Sequence, residues 1–169
     1  MRVKEDAMGN GQLKAGYNIQ HGVDSEYITW LTVEPQPTDT TTLIPFFKEL
    51  EEYIDDFKYQ RVTANAGYES EENYAYLEKE KKEAFIKPAN YEIGKKRSYQ
   101  NDIGRVENMK YDPQSDTYTC HNGKRLKVSK IKKEKTKTGY ERKTTIYSCE
   151  DCSGCPYKKE CINHSSTRQ

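Results

Sequence analysis

Long apolar runs are what this sequence most lacks. Hydrophobic residues make up 33% of its 169 positions, no more than the charged residues at 33%, and the mean hydropathy is −1.11. No stretch approaches the roughly 20 consecutive apolar residues of a membrane-spanning helix, which excludes a helical membrane protein. The opening MRVKEDAMGNG is charged where a secretory leader would be apolar, so the expected compartment is the cytoplasm. Net charge is scarce too: 28 Lys and Arg against 27 Asp and Glu leave +1, so no partner is selected by the overall field. Leu, Ile and Val are few for a self-sufficient core, although 14 Tyr supply amphipathic bulk. The composition fits one lean globular domain that lacks part of its core.

The residues that are present fall into two halves. In the first, GYNIQHGVD (16–24) and EYITWLTVEP (26–35) are strand-like runs joined by a tight link at Asp24-Ser25, hence a hairpin. QPTDTTT is a turn that can cap the next helix, with Asp39 as the N-cap. Leu43, Phe46, Phe47, Leu50, Ile54 and Phe57 then make one apolar helical face, with Pro45 tolerated in the first turn and Glu51, Glu52, Asp55 and Asp56 on the polar face. A short strand ends at Asn65, a helix capped by Ser70 runs from about Glu71 to Lys82, and EAFIKP (83–88) is a further strand. On that helix Tyr74 and Leu77 are expected to face the core, and Glu78 and Lys82 to pair on the surface. The order strand, strand, helix, strand, helix, strand predicts an α/β fold. From Asn90 periodicity is lost and 90–118 reads as a loop or linker. TYTCHNGKRLKVSKI is a hairpin with Asn122-Gly123 as a two-residue turn, and a second turn comes at Thr138-Gly139. The expected division is 1–89, 90–118 and 119–169.

Three constellations carry chemistry. Cys149, Cys152, Cys155 and Cys161 lie within thirteen residues, and reduced thiols at two-residue gaps suit a structural zinc ion. Cys120, His121 and His164 are candidate substitutes. The run is also similar to an iron–sulfur spacing, apart from its last gap, and unligated thiols are the third reading. Second, Lys124, Arg125, Lys127, Lys130, Lys132 and Lys133 begin a basic stripe continued by Lys135, Lys137, Arg142 and Lys143, with Tyr140 and Tyr147 nearby. Such a stripe can track a phosphate backbone, and equally can be a solvated ribbon. Third, Asn65 puts a neutral amide at a strand tip, where α/β proteins place catalytic side chains. Two-metal phosphoryl transfer needs several convergent acids there. Asp24 and Asp39 read as turn and cap, and Asn65 itself reads alternatively as a turn residue tolerating left-handed backbone.

MRVKEDAMGNGQLKAGYNIQHGVDSEYI, DTTTLIPFFKEL, ANAGYESEENYAYLE and YSCEDCSGCPYKKEC together resemble the middle of the DDE transposases of bacterial insertion sequences. The resemblance runs from Arg2 to Cys161 and is to the subgroup with a cysteine-rich insertion between its second and third acids. It implies a ribonuclease-H-like mixed sheet with helices, Mg²⁺ or Mn²⁺ as cofactor, and cutting and rejoining of DNA at element ends. By this resemblance Asn65 stands at the second metal-binding Asp, in what is usually ADAGY. The first Asp lies on a strand upstream of this chain, and the third acid, a Glu, on a helix beyond Gln169. One acid is therefore substituted and two are absent, so the chain is expected to be an inactive transposase fragment. The absent first strand is central in that fold, between the hairpin and the strand ending at Asn65, and its loss leaves two open edges. The expected partners are DNA and a full-length transposase, with no membrane. The alternative is a zinc-stabilised, non-catalytic DNA-binding or inhibitory module.

Overall fold

A computed structural model of the chain describes residues 16–54 and 59–162. The expectations placed on MRVKEDAMGNGQLK, Asp55, Asp56, Phe57 and His164 lie outside the described residues. The chain divides into two compact units, Met1–Ala89 and Asn90–Gln169.

The first unit is mixed α/β, in the order the sequence predicts: β1 (Asn18–Asp24), β2 (Tyr27–Glu34), α1 (Leu43–Tyr53), β3 (Arg61–Ala64), α2 (Glu71–Lys79) and β4 (Glu83–Ile86). β1 and β2 form an antiparallel hairpin, whose turn is Ser25-Glu26 because Asp24 still pairs with Tyr27. β3 and β4 run parallel, with Val62 opposite Ala84. Among the described residues the two pairs are separate sheets. What unites them is α1, whose Leu43, Phe46, Phe47 and Leu50 are buried with Leu77 of α2 and Ile86 of β4, while Trp30, Val62 and Ala64 pack alongside. Apolar spacing at three and four residues gives α1 this stripe.

Three local expectations change. Asp39 is not a cap: it opens a 3-10 turn over Asp39–Thr41, and Thr42 precedes α1 without a side-chain cap. On α2, Ser70 does cap, its Oγ accepting from Asn73 N at 3.1 Å. The inward residues are Asn73 and Leu77, each 0% exposed, while Tyr74 is 37% exposed. An amide takes the core position because its Nδ2 donates to Thr40 O (3.1 Å) and Tyr68 O (2.7 Å), tying two turns together. Lys82 pairs with Glu51 of α1 (3.8 Å) rather than Glu78, which places its ammonium 5.6 Å from the Phe47 ring.

The second unit has secondary structure where a linker is expected. Short helices α3 (Tyr91–Gly94) and α4 (Arg97–Gln100) precede β5 (Lys110–Asp112), β6 (Thr117–Thr119), β7 (Arg125–Lys135), β8 (Glu141–Cys149) and α5 (Lys158–Cys161). The four strands make one antiparallel sheet in sequence order. Both hairpin loops hold three residues, not two. Gly123 N donates to Cys120 O and Cys120 N to Lys124 O, and Thr136, Gly139 and Tyr140 repeat the pattern. Gly123 and Gly139 have φ of +74° and +89°, the left-handed residue that closes a type I turn with a bulge. At the base of the sheet Tyr118 packs on Tyr111 and Tyr147, at 4.8 and 4.9 Å between ring centroids. Asp116 accepts from both outer phenols, and its hydrogen bond pushes Tyr147 up to about 12.

Leu77 is the single aliphatic side chain on which α1 and α2 meet with no exposed surface among the described residues. Truncation to Ala should cost about 2–5 kcal/mol, read as a lowered urea midpoint of the full chain. An unchanged midpoint contradicts this core assignment.

Candidate functional site

β3 ends in extended backbone at Asn65 (φ −77°, ψ 175°), not in the left-handed region. Its Oδ1 accepts from Gly67 N at 2.7 Å, so the side chain caps the 3-10 turn Ala66–Tyr68. The turn brings Asn65 beside Asp39, although the two are far apart in sequence. A Cβ built on Gly67 would lie 2.5 Å from Asp39 Oδ2 and 2.9 Å from Asn65 Oδ1, so a larger residue must push one of these side-chain ends away. Asp39 Oδ1 in turn accepts from Asn18 Nδ2 at 2.6 Å, which ties the start of β1 to the same tip. Tyr68 donates its hydroxyl to Gln20 Oε1, and burial, aided by the Asp39 charge, pushes that phenol up. Gln20 is buried, and its Nε2 has no partner among the described residues.

This tip stands at one end of a groove of about 340 Å³ between β1 and β3. Gln20 and Val23 line one wall, Arg61 and Thr63 the other, and Phe46 is among its apolar lining residues. Asp39 brings a carboxylate to this tip, and Asn65 offers a neutral oxygen that is already engaged. Asp24, at the far end of β1, is bonded by Ser25 Oγ at 3.3 Å. Among the described residues, no three His, Cys, Asp or Glu side chains are grouped to hold a metal ion. The proximity of Asp39 to Asn65 is the feature that sequence reasoning missed. Its only signal was Gly67, whose need for close approach does not reveal what approaches.

The basic residues all lie on β7, β8 and their loops, but not as one stripe. Successive strand residues face opposite sides, so Lys130 and Lys132 share one face and Lys133 and Lys135 the other. Many are neutralised: Lys124 pairs with Asp151, Lys127 with Glu150, Lys135 with Glu141, and Lys132 and Arg142 both with Glu134. Arg125, Lys130, Lys133, Lys137 and Lys143 have no such pair among the described residues. Lys133 stands directly opposite Lys143. Like charges facing across a ladder repel, so this doublet favours an anion between or above them. The sequence held a signal for this doublet, because Thr138 is equidistant from both lysines and a symmetric hairpin centred there makes them partners.

The thiols come together from separate pieces of the second unit. Cys120, Cys149, Cys152, Cys155 and Cys161 line one cavity of about 20 Å³. Cys149 is buried in β8 opposite Leu126, and that burial pushes its thiol up. His121 turns aside, its ring against Tyr157 at 4.6 Å. The donor set is that of a thiophilic ion, although the sulfurs are not drawn into ligand geometry.

Among known protein families, the model described as Transposase DDE domain matches residues 119–169, the segment that holds the ribbon and the thiols. No curated protein and no solved structure matches the chain. No helix among the described residues is long and apolar enough to cross a membrane.

Because Gly67 abuts Asp39 Oδ2 and Asn65 Oδ1, Gly67→Ala must displace one of them. The expected cost is about 1–3 kcal/mol, measured by urea unfolding. Wild-type stability in this variant contradicts the close approach.

Proposed function

We propose, on the premise that the chain belongs with DDE transposases through residues 119–169, that it is an internal piece of an insertion-sequence transposase that contacts DNA without cutting it. In this reading the first unit is a partial ribonuclease-H-like core, and the segment after Thr119 is a zinc-stabilised insertion. The observation that carries it is the groove between β1 and β3. Two strand pairs rest on one helix, and each presents to the same cavity an edge that has no ladder partner among the described residues. One further strand there would join them into a single sheet and remove both edges. The outer face of the hairpin supports the same view, since Ile19, Ile28, Leu31 and Val33 are all about half exposed or more. Apolar surface of that extent is covered in a complete domain. A full-length transposase is the partner such a piece would join.

The tip explains why cleavage is absent in this reading. Transposases of this class use divalent ions, and each ion needs anionic oxygens beside its waters. Asp39 with a capping Asn65 falls short of that requirement. At this tip magnesium or manganese would meet the Asp39 carboxylate, already bonded to Asn18. DNA contact falls to the ribbon, where Lys130 and the Lys133–Lys143 doublet have no ion-pair partner among the described residues.

Two experiments test the reading. The purified chain with Mg²⁺ or Mn²⁺ and labelled duplex should give no cleavage, and Asn65→Asp alone should not restore it. Divalent-dependent cutting abolished by Asn65→Ala overturns the inactive assignment. In salt titrations of duplex binding, Lys133→Ala and Lys143→Ala should each reduce the slope of log affinity against log salt by about one. Lys127→Ala, already paired with Glu150, should change it less. Equal effects at all three positions, or no binding at low salt, remove the ribbon as the DNA contact.

A further inference from the structure

The structure assigns the fourth ligand of the zinc site to Cys120 and leaves Cys149 as a spare core thiol; this rests on the zinc reading and changes its ligand set. Four of the five thiols around the cavity sit on loops or at a helix end. Cys120 opens the β6–β7 loop, Cys152 and Cys155 lie between β8 and α5, and Cys161 ends α5. All four are half-buried and sit outside the strand ladders. Cys149 differs. It is 6% exposed, locked in the β8 ladder opposite Leu126, itself 3% exposed, and its Sγ donates to Asp151 O at 3.5 Å. It lines the cavity within hydrogen-bond reach of Cys152, and the sheet register sets its position.

The cavity also selects the occupant. About 20 Å³ is room for roughly one water-sized sphere, which suits a single ion. Four thiolates around Zn²⁺ carry a net charge of −2, and two cations, Lys124 and Lys158, line the same cavity. Lys124 Nζ donates to Asp151 O at 2.7 Å, so it already bridges the β6–β7 loop to the cysteine loop. Its ammonium also pairs with the Asp151 carboxylate at 3.5 Å, so its role is to fasten the two loops. On binding, four S–H bonds break, four Zn–S bonds form and the protons leave to solvent, with no electron transferred. The ion would fasten the first hairpin loop to the segment after β8 and so fix the base of the basic ribbon.

The test uses the full chain and zinc itself, with metal analysis, competition against a chromophoric chelator, and Co²⁺ substitution. Wild type should hold one ion per chain with a tetrahedral thiolate–Co²⁺ spectrum. Cys120→Ser should weaken affinity about 100-fold or more, beyond what outer-shell changes cost, while Cys149→Ser should leave both affinity and spectrum unchanged. Should a variant fail to fold, alkylation of the wild-type chain decides: zinc should slow modification of Cys120 together with Cys152. No stoichiometric ion in wild type overturns the zinc reading and this inference together. An ion lost in Cys149→Ser but kept in Cys120→Ser, or Cys120 alkylated equally fast with and without zinc, overturns this inference alone.

Discussion

One helix holds the first unit together. α1 buries Leu43, Phe46, Phe47 and Leu50 against residues contributed by both strand pairs, and those pairs share no ladder of their own among the described residues. In an ordinary α/β layer the sheet is continuous and helices cover it. Here a single apolar stripe does the joining, so side-chain burial substitutes for backbone pairing. The groove, the open edges and the bare outer face of the hairpin all result from that arrangement. So does the position of Asn65, carried to its place by β3 and fixed by its own cap on the Ala66–Tyr68 turn.

The second unit depends on a different principle. Its sheet buries little: Leu126, Cys149 and Thr117 are its buried side chains among the described residues. Compensation comes from a tyrosine stack anchored by Asp116, from ion pairs along the ribbon, and from five thiols around one cavity. Each ion pair is exposed and worth little singly. Thiolate ligation of an ion would add far more, because metal binding to a weakly cored region is itself folding energy. Paired charges also change the electrostatic picture. The sequence shows a dense basic run, but the folded ribbon offers only a few uncompensated cations, on both faces.

Element order was legible in the sequence because periodicity and turn chemistry agree. The β1–β2 alternation, the α1 stripe and the Ser70 cap each stand where local rules put them. Tertiary placement was not legible. Nothing local marks Asn73 as a core residue, since its burial depends on two carbonyls, Thr40 and Tyr68, from other turns. Asp39 reads as a cap until the chain folds it against Asn65. The stretch after Asn90 hides short elements because helices of four residues and strands of three carry too few positions to show a period. Lysine spacing alone could not reveal which charges are neutralised, because Glu134, Glu150 and Asp151 reach back across the ribbon.

A two-metal phosphodiester site requires clustered anionic oxygens, and among the described residues no three acidic, His or Cys side chains are grouped at the end of β3, where Asp39 meets a neutral amide. Manganese binding to the purified full chain, read by calorimetry and by the paramagnetic broadening of nearby resonances, tests that shortfall most directly. No tight site should form near Asn65 and Asp39, and only weak, salt-sensitive association should be seen elsewhere. A stoichiometric pair of Mn²⁺ ions broadening resonances at the end of β3, and lost on Asp39→Asn, would contradict it.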